Sequence, residues 1–172
     1  MHIEDWGNRL KKKFKMIKIR NTYDKVIFEV DAKSFRDAID VIVKQNDDMC
    51  GGFILKQADL QGADLSNAKL QRINLRGANL RGANLRGTDF YQAQLDSADL
   101  TGADLSGADL RDAYLTHANF EHANLSNANL VEADLRGANL IDADLSGAIM
   151  TSTYIKGIKV SNETLESLGL KL

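Results

Sequence analysis

Residues 98–112 read A-D-L-T-G-A-D-L-S-G-A-D-L-R-D, three consecutive copies of one five-residue pattern. The pattern continues in both directions, over residues 53–160, and gives 22 repeats. Every fifth position holds leucine or another large apolar residue. Alanine fills 17 of the 20 positions that lie two residues before it between residues 58 and 153, the exceptions being Ile73, Thr88 and Thr153. This repeat decides the fold of most of the chain, because a fixed short period is the mark of a solenoid.

A period of five residues fits neither regular element by itself. Five residues rotate a helix by about 500°, so the apolar stripe would drift around the helix axis. In a strand, five is an odd number, so successive leucines would point to opposite faces. The pattern therefore predicts a corner in every repeat, with alanine and leucine pointing inward and the other three residues turning the chain. Turns of one sense close a coil, and coils that stack place leucine over leucine and alanine over alanine.

The repeats A-D-L-Q-G, A-N-L-R-G and A-D-L-S-G resemble those of the pentapeptide-repeat family. That resemblance implies an all-β solenoid, a right-handed quadrilateral parallel β-helix with four pentapeptides in each coil. The 22 repeats would then form about 5.5 coils. Asp or Asn before each leucine and glycine after it suit the tight corners of such a coil.

The segments outside the repeat predict caps, which the exposed ends of a solenoid require. Residues 16–20 and 26–30 read as two short strands joined by a turn at 21–25, and 34–45 reads as an amphipathic helix. We expect residues 1–52 to form a small α+β (ββα) N-terminal capping module, 53–160 the solenoid, and 161–172 a C-terminal capping helix. In that helix Ser161 would cap residues 162–168, with Leu165, Leu168 and Leu170 closing the last coil.

Composition and charge narrow the classes of protein that this chain can belong to. The 172 residues carry a formal net charge of −2 and one cysteine, Cys50, so no internal disulfide can form. No apolar stretch has the length of a signal peptide or a membrane span. These features favour a cytoplasmic protein that binds neither nucleic acid nor membranes.

No constellation of residues predicts catalysis. His117 and His122 occupy the same repeat position in successive pentapeptides, so they fall on neighbouring faces and do not converge on a metal. Cys50 has no cysteine partner, and the glycines are spaced as corners. A convex rod also lacks the concave pocket of a usual active site. We therefore predict no catalytic residue, no cofactor, no metal, and a protein that is not an enzyme.

Charge is unevenly distributed along the repeats. Six basic and three acidic residues give residues 53–92 a net charge of +3, whereas two arginines and ten acidic residues give residues 93–145 a net charge of −8. Solvation is the ordinary reason for such charges. The candidate acidic surface comprises Asp96, Asp99, Asp104, Asp109, Asp112, Glu132, Asp134, Asp142 and Asp144.

Large apolar residues at outward positions form a second candidate surface. Tyr91, Tyr114, Val131 and Tyr154 map near one edge of the rod when every twentieth residue is aligned, whereas Ile141 and Ile149 fall elsewhere. Clustered exposed aromatics favour a protein contact. The competing interpretation is that Tyr154 packs under the C-terminal helix and the others are scattered.

Two functional hypotheses follow. The first is a non-catalytic scaffold or protein-interaction module whose rod displays side chains to an unknown protein partner. The alternative rests on the resemblance, because some pentapeptide-repeat proteins mimic DNA and modulate DNA gyrase or related type II topoisomerases, as in quinolone resistance. A net charge of −2 is mild for a DNA mimic. The sequence leaves open a monomer or a homodimer through the C-terminal end.

Overall fold

The computed structural model describes residues 15–34, 37–40 and 55–168. Within these ranges the elements are strands β1 (Lys15–Arg20), β2 (Val26–Ala32), β3 (Asn139–Leu140) and β4 (Lys159–Val160) and helix α1 (Asn162–Ser167). β1 and β2 form an antiparallel hairpin, and β3 pairs with β4 in parallel. Single parallel bridges make up the rest of the solenoid.

The solenoid has four sides because each bridge joins residues that are 20 positions apart. Asp59 pairs with Asn79, Asp64 with Asn84, and the series continues without a break to the pairing of Asp134 with Tyr154. Twenty residues are four pentapeptides, which confirms the predicted four-sided parallel β-helix. We number the faces by their first bridging residue and every twentieth residue after it: face 1 from Asp59, face 2 from Asp64, face 3 from Lys69 and face 4 from Asn74.

A tight turn at every corner produces this shape. The amide of each residue in the alanine position donates to the carbonyl of the leucine three residues earlier, as from Ala103 to Leu100 at 3.0 Å. The third residue of each turn has a positive φ, as at Gly102 and His117. This pattern is typical of type II turns, in which glycine is favoured at that position. The predicted corners are therefore confirmed, including those where another residue replaces glycine.

The interior is filled by the two predicted columns. The leucine column from Leu55 to Leu145 and nearly all of the alanine column are buried. Phe90 and Phe120 replace leucine and are fully buried. Thr88 replaces alanine, and its hydroxyl donates to the carbonyl of Leu65 at 2.8 Å, so its polar group is satisfied inside the core.

The N-terminal hairpin lies against the first described coil. The amide of Thr22 donates to the carbonyl of Gln57 at 2.8 Å, and the amide of Asp59 donates to the carbonyl of Arg20 at 2.7 Å. These bonds continue the ladder of face 1 beyond the solenoid. Residues 37–40 are helical, and the rest of the predicted helix, apart from Ser34, lies outside the described residues, as do residues 1–14, Cys50 and the first repeat residues 53–54.

Helix α1 covers one half of the other end. Its N-cap, Ser161, accepts a hydrogen bond from the amide of Thr164, as the sequence predicts. The hydroxyl of Thr164 donates to the carbonyl of Leu140 at 2.7 Å, and Thr164 is the fully buried residue of the helix, where the sequence suggested Leu165. Leu168 packs against the core, and Leu170 lies beyond the described range. The hydrogen bonds of the helix fall under faces 1 and 2, and none in the described part of the chain reaches the ends of faces 3 and 4.

Candidate interaction surface

The four faces differ in the residue that stands before each leucine, which we call the bridge position. On faces 1 and 2, which we call the regular faces, all ten bridge positions from residue 59 to residue 144 are Asp or Asn. On faces 3 and 4, which we call the variable faces, five of the ten bridge positions from residue 69 to residue 154 are other residues: Lys69, Gln94, Tyr114, Ile149 and Tyr154. Every departure from the pattern in this span therefore lies on two adjacent faces.

Asp and Asn at bridge positions stabilise the corner that follows them. Their Oδ1 atom accepts a hydrogen bond from the amide two residues later, as in Ser106 to Asp104 at 3.0 Å and Ser126 to Asn124 at 3.0 Å. This is the local bond by which Asp and Asn favour turns. Tyrosine and isoleucine cannot accept it, so Tyr114, Ile149 and Tyr154 forgo a bond that the regular faces make.

The structure places the four predicted contact residues on or beside face 4. Tyr114 and Tyr154 are bridge residues of that face, with 50% and 60% of their surface exposed. Tyr91 and Val131 lie half-buried at the corner between faces 3 and 4. Tyr154 therefore does not pack under the C-terminal helix. Ile149 is 51% exposed on face 3, so the apolar surface extends over both variable faces.

Two bidentate ion pairs stand among these apolar residues. Arg111 binds Asp109 through Nε at 2.8 Å and Nη2 at 2.6 Å, and its guanidinium lies over the Tyr91 ring at 5.5 Å. Arg136 binds Asp134 in the same way, with Nε at 2.8 Å from Oδ1. The arginine hydrogen bonds hold the pKa of both carboxyl groups below the usual value of 3.8. The ion pairs fix both guanidinium groups in place.

The predicted acidic surface is largely engaged in ion pairs. Arg76, Arg81 and Arg86 of the basic segment reach Asp96, Asp99 and Asp104 of the next coil at 2.8, 3.1 and 3.2 Å. With Asp109 and Asp134, five of the nine predicted residues therefore pair with arginine. Asp142 lies 3.6 Å from the Nδ1 atom of His122. Asp112, Glu132 and Asp144 form no salt bridge within the part of the chain that the structure describes.

Metal-ligating side chains are dispersed over the described residues. These residues contain no group of three or more His, Cys, Asp or Glu side chains that could hold a metal ion. His122 faces carboxylates of Glu121 and Asp142, and His117 lies over Gly137 at a different corner. No helix in the described ranges is both long and apolar enough to cross a membrane.

Comparison with known proteins agrees with this geometry. The family model for pentapeptide repeats matches in eight copies, over residues 58–95, 73–112, 93–130 and 113–157. The chain belongs to the pentapeptide-repeat family. Its solenoid is therefore the right-handed quadrilateral β-helix of that family. No curated protein sequence matches the chain.

Solved structures of other pentapeptide-repeat proteins resemble this one. Rfr23 from the cyanobacterium Cyanothece 51142 is 42% identical, with a TM-score of 0.52, over 53% of this chain and 62% of that chain. The pentapeptide-repeat protein alr5209 from Nostoc PCC 7120 is 28% identical, with a TM-score of 0.51, over 72% of this chain and 95% of that chain. QnrB1, a plasmid-mediated fluoroquinolone resistance protein, is 20% identical with a TM-score of 0.36, a likeness that carries no functional argument.

The bridge residue two positions before an arginine is related to which aspartate that arginine binds. The sequence analysis missed this rule. In this pentapeptide-repeat protein, arginine after Asp-Leu binds that same aspartate, as Arg111 binds Asp109. Arginine after Asn-Leu reaches the aspartate of the next coil instead, as Arg81 reaches Asp99. The neutral amide gives the guanidinium no local carboxylate, so it extends across the coils. Sorting D-L-R from N-L-R, together with the presence of an aspartate 18 or 20 residues later, would have predicted both sets of pairs.

Proposed function

We propose that this chain is a non-catalytic protein-interaction module that docks a protein partner on its variable faces. The main observation in support of this proposal is that Tyr114, Ile149 and Tyr154 occupy bridge positions and are half-exposed. The regular faces of the same coils present Asp and Asn at those positions. Pentapeptide-repeat proteins are generally structural or interaction modules, which agrees with this proposal.

Energetics support a role beyond folding for these three residues. Each forgoes a side-chain hydrogen bond of the kind that contributes about 0.5–1.5 kcal/mol. Each also leaves about half of its surface in water, and the half that is buried contributes a free energy of about the same size as the lost bond, so the fold gains little by having it in place of Asn or Asp. The presence of a large apolar residue that gives the solenoid no advantage over Asn or Asp is explained if its exposed part is covered in a complex.

The composition of the surface suits a protein partner. Tyrosine and arginine are the residues that carry much of the binding energy at protein interfaces. Arg111 and Arg136 are held by bidentate ion pairs, and Arg111 is stacked on Tyr91. Little side-chain entropy is then lost when a partner binds, because the rod and its arginines are already ordered.

Affinity capture from host lysate with matched variants tests the proposal. The test variant combines Tyr114→Asn, Ile149→Asn and Tyr154→Asn, which gives faces 3 and 4 the polar pattern of faces 1 and 2. We expect its free energy of unfolding to stay within about 1 kcal/mol of that of the unchanged protein, since the lost packing is offset by new turn bonds. Specific capture of the partner should be lost.

The control variant carries Asn119→Asp, Asn124→Asp and Asp144→Asn on the regular faces. It keeps the hydrogen-bonding oxygen at each bridge position and should capture the same partner as the unchanged protein. The proposal is wrong if the test variant captures the partner as well as the control does, or if the unchanged protein captures nothing above background.

A DNA-mimic modulator of gyrase remains the second candidate, and the charge geometry disfavours it. A mimic needs closely spaced unpaired negative charge. In this protein, arginines of the preceding coil bind Asp96, Asp99 and Asp104. A supercoiling assay with purified gyrase, with and without a quinolone, separates the two. Inhibition or protection at micromolar protein would favour the mimic, and neither is expected.

A further inference from the structure

The half of the last coil that lies away from helix α1 carries a ladder edge that has no partner among the described residues. In the preceding coil, the amides of Leu130, Glu132, Leu135 and Gly137 donate to carbonyls of residues 149–156 at 2.8–3.1 Å. The equivalent amides of the last coil belong to Met150, Ser152, Ile155 and Gly157. They have no acceptor among the described residues. Unpaired donors at ladder spacing are a template for one more extended strand.

The inward side chains of this edge are also incompletely covered. Ile155 occupies a leucine position on face 4 and is 50% exposed, whereas Leu135 directly above it is 1% exposed. Met150, in the leucine position of face 3, is partly exposed too. A covering strand would need apolar residues two positions apart to fill this surface as the alanine and leucine of each repeat do in the coils above.

The charge of this edge indicates which charged side chain a covering strand would need. Residues 148–160 hold Lys156 and Lys159 and no acidic residue, and neither lysine forms a salt bridge within the described ranges. Lys156 directly follows the leucine position of its repeat, as Arg81 and Arg86 do at other corners. Those arginines bind the aspartate at the bridge position 18 residues later. The matching position beside Lys156 is the bridge position of the missing strand, directly below Tyr154.

We propose that the edge formed by residues 148–157 binds an extended segment of a partner protein that adds one further rung to faces 3 and 4. The segment pairs its main chain with the free amides and places small and aliphatic residues over Met150 and Ile155. It presents a carboxylate to Lys156. This inference deepens the proposed function, because the rung continues the surface that carries Tyr154 and Ile149.

A synthetic peptide with the sequence of residues 98–108, A-D-L-T-G-A-D-L-S-G-A, has this chemistry and serves as the probe. The experiment titrates it into the isotopically labelled full chain and follows the amide resonances by NMR. We expect saturable shifts and slowed hydrogen exchange at Met150, Ser152, Ile155 and Gly157. Amides of bridge residues donate to the preceding coil, as Tyr154 does to Ala133, so the two peptide aspartates would donate to the carbonyls of Ala148 and Thr153. Methylating the amide nitrogens of these two aspartates removes those ladder donors and should weaken binding at least about tenfold.

Charge variants test the predicted carboxylate contact. Replacing the second peptide aspartate by asparagine, or changing Lys156→Glu, should raise the dissociation constant about two- to fivefold, the range of an exposed ion pair. A peptide with lysine in place of that aspartate should recover affinity for the Lys156→Glu chain. Lys25→Glu, at the exposed turn of the β1–β2 hairpin, is the matched control and should change nothing.

Three results would overturn this inference. The first is no saturable shift at the four amides. The second is protection of those amides in the free chain that disappears when residues 169–172 are deleted. The third is their protection in a dimer of this chain. The capture experiment on Tyr114, Ile149 and Tyr154 is independent of the peptide, so a failed edge and a failed docking surface give different results.

Discussion

At the scale of single residues, the alanine column sets how closely successive coils can stack. Ala103 is 1% exposed between the coils and lies in a core cluster of leucines and alanines. A larger side chain there must displace its neighbours, because protein interiors are close-packed. We expect Ala103→Leu to lower the free energy of unfolding by about 1–3 kcal/mol through overpacking, measured by urea denaturation.

The control for that substitution is Ser146→Leu, which adds a leucine at an exposed corner. This change should alter stability by no more than about 0.5 kcal/mol. If Ala103→Leu proves as mild as Ser146→Leu, the inward assignment of the alanine column is incorrect.

Two corner glycines separate backbone strain from crowding. Gly102 has a φ of +65°, and nothing lies within 4 Å of a Cβ atom added to it. Gly137 has a φ of +71°, and an added Cβ would lie 2.5 Å from the Nδ1 atom of His117. Alanine at either site incurs the left-handed strain of about 1–2 kcal/mol. Gly137→Ala must in addition displace the imidazole.

We therefore expect Gly137→Ala to be more destabilising than Gly102→Ala in thermal and urea unfolding. The excess should vanish when His117→Ala is combined with Gly137→Ala, since the added methyl group then meets no ring. An unchanged excess in the double variant would show that crowding by His117 is not its cause.

At the scale of elements, the N-cap residue of helix α1 is one of the residues that join the helix to the solenoid. The Ser161 hydroxyl accepts from the amide of Thr164 at 3.3 Å and from the amide of Asp142 at 3.1 Å. Removing it frees one donor in the helix and one in the last coil. We expect Ser161→Ala to cost about 1–2 kcal/mol, the upper part of the range for N-cap residues.

Hydrogen exchange locates this effect as well as measuring it. Exchange should accelerate in α1 and at Asp142, while the amides of the central coils keep their protection. Ser146→Ala, at an exposed corner without a cap to lose, is the control. Equal behaviour of the two serine variants would contradict the assigned role of Ser161.

The corners and coils of the solenoid can be predicted well from the sequence, because the same five-residue pattern determines every corner. The four-sided coil adds information that the linear pattern lacks, namely which residues become neighbours at a spacing of 18 or 20 positions. The sequence alone separates Ile149 from the tyrosines, yet Ile149 lies on the face adjoining face 4, which carries Tyr114 and Tyr154. Thr164 buries its methyl group and satisfies its hydroxyl against Leu140, which a search for apolar residues alone does not find. Whether a polar residue such as Thr164 covers the end of the solenoid depends on where the helix packs against the last coil.

At the scale of the whole molecule, arginine–aspartate ion pairs within and between coils make the stability of the solenoid depend on pH. The pKa values of Asp109 and Asp134 are lowered by their arginine hydrogen bonds. Burial raises the pKa of Asp99, but its hydrogen bonds outweigh burial and the pKa is lowered overall. Each group therefore adds stability that is complete above the unfolded-state pKa of about 3.9. That stability is lost as the pH falls through the lower folded-state values.

The predicted consequence is a free energy of unfolding that these carboxylates leave unchanged between pH 7 and pH 5 and that falls below about pH 4. Urea midpoints across this range measure it. Asp134→Asn removes one titrating group, so its stability should fall less steeply in acid than that of the unchanged protein. A variant with an equally steep fall would mean that the Asp134–Arg136 pair does not contribute to the acid sensitivity.

The central claim also belongs to the whole molecule: one rod has two regular faces that serve the fold and two variable faces that serve a partner. A photo-crosslinking phenylalanine analogue placed singly at position 114, 154, 119 or 124 of the full chain tests it in host lysate. The account predicts a discrete crosslinked adduct from positions 114 and 154 on face 4 and none from positions 119 and 124 on faces 1 and 2. Adducts that form equally from all four positions, or from 119 and 124 alone, would contradict it.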